Sequence, residues 1–357
     1  MIGVSRLIAM SIDVAHLIRI IMRLSVLDQS PIRKGSNAHE ALQETVALAK
    51  LADELGYTRF WVSEHHNTNT LAGTSPEVLI AHLAGQTQTI RVGSGGVMLP
   101  HYSALKVAEN FRVLETLFPG RIDLGIGRAP GSDRVTASVL NPANTFNDQD
   151  LVNQLFDLQN YLNDRYAPGS VQAQVKAMPM APSVPEQWIL SSSGQSAVLA
   201  AHFGTGFSFA HFINPHGGPQ AVQLYRERFQ PSENLEEPQV NVALFFFCSE
   251  DPEKVRQQQA ITDHRFYQLE TRGRLEAFDY DDIKAADYSP AEQSRILHNR
   301  QRVVMGSPEE VQKQLLRYAD QYGVDELMLV NSASNFEERL EAYRLMADIF
   351  DLKGVTA

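Results

Sequence analysis

Cysteine is almost absent, with Cys248 the single one among 357 residues. A disulfide framework within the chain and a thiolate metal cluster are therefore excluded. Cys248 ends the apolar run Val242–Cys248 and reads as a small buried hydrophobe, a usage consistent with a reducing cytoplasm. Positive charge is scarce too: 31 Lys and Arg stand against 42 Asp and Glu, a net charge of -11. The broad basic footprint needed by a nucleic-acid or anionic-membrane partner is missing. A local basic spot for one anionic cofactor remains compatible with that balance. The chain also lacks an uninterrupted apolar run of about 20 residues. Met1–Ile21 comes nearest, but Arg6, Asp13, His16 and Arg19 interrupt it. It has neither the basic start nor the cleavage site of a secretory signal. It reads as an extension, or as an amphipathic helix under the fold that begins at Met22.

What is present is a rhythm. Short apolar runs at Leu24–Leu27, Arg59–Ser63, Ile90–Leu99, Arg121–Gly127, Trp188–Ser191, Gly206–Ala210, Val240–Cys248 and Glu326–Val330 alternate with longer helical patterns. Alternating units of this kind imply a parallel sheet covered on both faces. Eight of them over one chain favour a closed (β/α)8 TIM barrel. An open doubly wound sheet is the rival, but no Gly-x-Gly-x-x-Gly opens a helix after the first strand. One long insertion follows strand seven. Residues 252–307 contain a helical piece at Glu253–Glu270 and an acidic stretch at Phe278–Ala291, and read as a lid within the barrel domain of residues 22–357.

Function in a barrel sits where strands end and βα loops begin. After strand two comes Glu64-His65-His66, which raises the question of a metal. Adjacent residues of an extended segment point opposite ways, however, and no second tight cluster supplies further ligands. A loop-bracing role and a cofactor or substrate contact both remain open for the histidines. Gly95-Gly96 interrupts strand three. Either a bulge or the close approach of another body would account for it. Ser191-Ser192-Ser193-Gly194-Gln195-Ser196 leads from strand five into a helix, where backbone N–H groups and hydroxyls make an anion site, unless Ser193 simply caps the helix. Arg128, at the end of the preceding strand, suits a phosphate beside that helix start.

At these residues the sequence resembles the bacterial luciferase-like flavin monooxygenases. The matching stretches are Phe60–His66, Arg91–Pro100, Pro119–Arg128 and Gly306–Val311, in order and at barrel strand positions. The resemblance implies FMN as cofactor, with its phosphate on Arg128, Ser192, Ser193 and Ser196. It further implies a strained peptide at Gly95-Gly96 supporting the flavin ring. His65 falls on the histidine that acts near the flavin, with Glu64 beside it to orient it. Two departures matter. Gly127 stands where luciferase carries a reactive cysteine, and Ser103 where it carries another histidine, so light emission is not implied and the non-luminous single-gene branch is the nearer match. The expected activity is monooxygenation of a small organic substrate, an apolar one being compatible, with O2. A separate flavin reductase or NAD(P)H would supply the reduced FMN, in a cytoplasmic homo-oligomer without nucleic-acid or membrane partners. The alternatives are a deazaflavin-dependent hydride transferase and a non-catalytic flavin-binding protein.

Overall fold

The structure is a computed structural model describing residues 22–354, without 130, 144–146, 274, 275 and the side chain of Arg272. Met1–Ile21, read above as an extension, lies outside the described residues. Each of the eight expected strands is there: β1 (Arg23–Asp28), β2 (Arg59–Val62), β3 (Arg91–Ser94), β5 (Ile122–Gly127), β6 (Glu186–Ser191), β7 (Gly206–Ala210), β8 (Val240–Cys248) and β10 (Glu326–Val330). All pair in parallel, and β10 bonds to both β8 and β1, which closes the barrel. The expected third strand, Ile90–Leu99, is divided in two, and one further short strand was not anticipated. β4 (Val97–Met98) continues β3 and pairs with β5, and β9 (Val303–Gly306) lines up against the end of β8.

The helices in chain order are α1 (Ala38–Leu55), α2 (Pro76–Gln86), α3 (Ala104–Leu117), α4 (Arg134–Leu140), α5 (Asp148–Asn163), α6 (Gly194–Phe203), α7 (Gly218–Arg228), α8 (Pro252–Arg272), α9 (Tyr280–Ile283), α10 (Pro290–Asn299), α11 (Pro308–Tyr322) and α12 (Phe336–Ile349). Their ends follow local chemistry. Asn37 accepts a hydrogen bond from the Glu40 N–H to start α1, and Gly56, at φ 83°, stops it. Ser307 and Glu310 form a capping box around Pro308 to start α11. The insertion after β8 is largely helical, holding α8, α9 and α10 before β9. A cavity of about 410 Å³ lies among those three helices.

Strand alternation divides the core. Leu24, Val26, Phe60, Val62, Val242, Leu244, Leu327 and Leu329 face the helices, within one continuous apolar cluster. Leu27, Trp61, Trp188, Ala243, Met328 and Val330 fill the lumen. Trp61 and Trp188 meet edge to face, with ring centroids 5.5 Å apart.

Below the tryptophans, the N-terminal end of the lumen is plugged by charge. Arg59 donates to Asp123 Oδ2 (2.7 Å) on β5 and to Glu326 Oε1 (2.7 Å) on β10. Its guanidinium also lies 4.7 Å from the Trp188 ring centroid. Asp123 accepts further bonds from Trp61 Nε1 (2.8 Å) and Arg91 Nε (2.7 Å), and Glu326 accepts one from Ser25 Oγ (2.8 Å). Removing a single partner from such a buried cluster leaves uncompensated charge, which typically costs about 3–5 kcal/mol. Arg59→Ala should lower unfolding stability by that order in a urea titration. A loss within the scatter of surface substitutions, about 0.5 kcal/mol, would contradict this account of the floor.

Candidate functional site at the strand C-terminal ends

The opposite end of the barrel carries the residues singled out above. Glu64 is fully buried just beyond β2. Its Oε1 accepts from the Tyr102 hydroxyl (2.8 Å) and lies 2.8 Å from His66 Nε2, while Oε2 accepts from the Met98 backbone N–H (2.9 Å). Glu64 therefore holds His66 and not, as expected, His65. The reason is the two-residue period of extended chain, which turns residues 64 and 66 the same way and 65 the other. Tyr102, some forty residues on, belonged to no sequence motif. Among the described residues, no group of three or more His, Cys, Asp or Glu side chains is placed to hold a metal ion.

His65 is half-buried. Its backbone N–H donates to Gly73 O (2.9 Å), and its Nε2 lies 3.5 Å from Gln29 Nε2. The segment after β5 folds back onto this strand end: the His66 N–H donates to Gly131 O (3.1 Å). Gly131 has φ 59°, and a side chain there would strike Glu64 O at 2.7 Å.

Gly95 and Gly96 join β3 to β4. From Gly93 to Val97 the chain takes four steps against three from Asp123 to Ile126 on β5, so one residue is extra and the join is a β-bulge. The peptide between the two glycines is cis. A Cβ on Gly95 would lie 2.7 Å from Leu27 Cδ1, and one on Gly96 would lie 2.8 Å from Gly125 O. Barrel backbone thus demands glycine at Gly96, whereas the Gly95 contact is with a movable Leu27 side-chain end and Trp61.

Arg128, just past β5, is exposed, and its Nη1 donates to Gln195 Oε1 (3.0 Å) in the first turn of α6. The serine-rich turn and the arginine are therefore neighbours. Ser193 occupies the N-cap position of α6, but its side chain makes no capping bond. Its N–H instead donates to Ser191 Oγ at 3.0 Å. Ser192 O accepts from Asn214 Nδ2 (3.0 Å), and Ser196 is buried within the first turn. A Cβ on Gly194 would meet nothing within 4 Å, and the turn carries no acidic residue. An uncapped, open helix start beside a guanidinium can receive an anion.

Residues 22–326 match the luciferase-like monooxygenase family. The chain belongs to that family. The Bacillus subtilis (strain 168) protein YwcH is 48% identical over 328 residues, 92% of this chain and 98% of its own. The N-acetyl-S-alkylcysteine monooxygenase of the same organism is 34% identical, covering 92% of this chain and 98% of the relative. The solved structure of apo-MsnO8 superposes with a TM-score of 0.84 at 36% identity, over 94% of this chain and 100% of that one. Two more distant structures share the fold alone. The oxygenating constituent of 3,6-diketocamphane monooxygenase from Pseudomonas putida, in complex with FMN, has 19% identity and a TM-score of 0.67, over 94% of this chain and 99% of that one. The coenzyme F420 dependent tetrahydromethanopterin reductase from Methanopyrus kandleri has 17% identity and a TM-score of 0.66, over 93% and 99%. Among the described residues, no helix is long and apolar enough to cross a membrane.

Burial pushes the His65 imidazole below its ordinary pKa, more than the nearby Gly131 carbonyl raises it, so the ring is neutral at pH 7. The folded chain then binds fewer protons than the unfolded one. The stability contributed by neutral His65 is full above about pH 6.5 and is lost as pH falls below it. A histidine-resolved NMR titration should give His65 a midpoint below about 6.5, and a midpoint above that value would contradict the burial described.

Proposed function

We propose that this luciferase-like monooxygenase uses reduced FMN and O2 on a small organic substrate bound at the C-terminal mouth of the barrel. The observation that carries the reading is the open, uncapped start of α6 beside Arg128. Its donors suit a phosphomonoester: a guanidinium, unopposed first-turn N–H groups and the hydroxyls of Ser193 and Ser196. Gly95 and Gly96 would lie against the flavin ring, where neither carries a side chain to obstruct it. Bound reduced FMN supplies the electrons that activate O2, and a separate reductase or NAD(P)H would renew them. The named activity of the 34%-identical relative, on an N-acetyl-S-alkylcysteine, is consistent with a small organic substrate.

The chain's own contribution is binding, orientation and proton handling. His65, neutral and half-buried, can take or give a proton at a ring nitrogen. Glu64 fixes His66 and ties β2 to β4 through the Met98 N–H, so it acts as a positioning residue.

Arg128→Ala removes charge-assisted bonds worth about 1.5–3 kcal/mol. FMN affinity should fall by about tenfold or more, while riboflavin, which lacks the phosphate, is little affected. Equal losses for the two flavins, or a preference of the native chain for a deazaflavin over FMN, would contradict the proposal.

His65→Ala should leave FMN affinity nearly unchanged and slow turnover of bound flavin by about 10²- to 10⁴-fold. Stopped-flow oxidation beside a thermal melt separates this from a bracing role. If His65 only braces the loop, melting temperature and flavin affinity fall together while turnover per bound flavin stays the same.

A further inference from the structure

Among the described residues, the insertion after β8 brings a cation, Arg265, to the barrel mouth without a carboxylate partner. Arg265 lies on α8. The next residue, Phe266, packs on lumen-facing Phe245 with ring centroids 5.8 Å apart. Arg265 Nη1 itself lies 3.4 Å from Ser332 O, just beyond the end of β10. These two contacts place the guanidinium over the mouth, between the ends of β8 and β10. Other described arginines of the insertion have carboxylates: Arg256 pairs with Glu253, Arg300 with Asp263 at 2.7 Å, and Arg302 with Glu270 at 3.5 Å. No described carboxylate forms an ion pair with Arg265. Burial works against its charge with no opposing partner, and a single long contact engages one of the five N–H donors of the group. A half-buried cation left in that state is costly unless something else supplies the anion.

The wall beneath is apolar. Phe212 and Phe245 meet edge to face at 5.0 Å, and Leu190 packs against the same lumen cluster. We infer that the substrate of this chain is an organic anion with an apolar body, its carboxylate or sulfonate held by Arg265 and its hydrocarbon part against Phe212 and Phe245. The inference rests on the mouth being the substrate site proposed above. The flavin phosphate does not account for Arg265, because the turn beside Arg128 lies between β5 and β6, three strands round the barrel.

The test uses the full chain and straight-chain carboxylates from butanoate to decanoate, each paired with its uncharged amide, with binding read by calorimetry. The wild type should bind at least one carboxylate about tenfold or more tightly than its amide. Arg265→Gln should abolish the preference and leave amide affinity unchanged, and Arg265→Lys should retain part of it. Equal binding of every carboxylate and its amide by the wild type, or an undiminished preference in Arg265→Gln, would overturn the assignment. FMN and riboflavin are titrated separately into both proteins. Loss of the FMN preference in Arg265→Gln would also overturn it, by giving Arg265 to the cofactor phosphate. An Arg265-dependent carboxylate preference in a chain that binds neither flavin would support the anion site and contradict the proposed cofactor.

Discussion

Arg59 reaches across the barrel lumen and joins four strands. Its guanidinium bonds to Asp123 on β5 and Glu326 on β10, and lies 3.2 Å from Glu186 on β6. Arg59, Asp123 and Glu326 are each at most 2% exposed. Charge so buried is tolerable only when every group has partners, and here Trp61, Arg91 and Ser25 complete the set. The cluster fixes how strands on opposite sides of the barrel sit relative to one another. It also fills the floor of the lumen and supports the Trp61–Trp188 pair above it. Chemistry is thereby left to the other end, where loops of varied sequence can meet without disturbing the closure.

The fold was legible because each strand is a short apolar run and most helices carry their own start and stop signals. The eight barrel strands appear where the hydrophobic rhythm put them. β9 was not legible. Val303–Gly306 is four residues long, follows the polar stretch Arg300–Arg302, and pairs only with the end of β8. The floor cluster was equally hidden, since Arg59 finds its partners 64 and 267 positions away. No local motif reports such a distance.

The site was legible in part. Arg128 and the serine turn were expected as neighbours from adjacent strands, and the Arg128–Gln195 bond joins them. Gly95-Gly96 left a bulge and a close approach both open. The bulge is present, and the clashes a Cβ would meet come from the barrel's own atoms. The assignment of Glu64 to His65 failed on a rule already in hand, because alternation along extended chain turns Glu64 toward His66. Tyr102 and Arg265 needed the tertiary structure. One reaches Glu64 from the loop after β4, and the other meets Ser332 O from α8, 67 positions away in sequence.

Three strand-end regions thus divide the mouth: an open helix start and Arg128 at β5 and β6, the Glu64–His66 pair and His65 at β2, and an apolar wall crowned by Arg265 at β8 and β10. The central claim is that a flavin phosphate occupies the first of these. A crystal structure of the chain with FMN tests it most directly. The account predicts the phosphate at the start of α6, bonded to Arg128 and to Ser193 or Ser196, with the ring over Gly95-Gly96. FMN seated elsewhere, such as in the cavity among α8, α9 and α10, or a phosphate with no contact to Arg128, would contradict it.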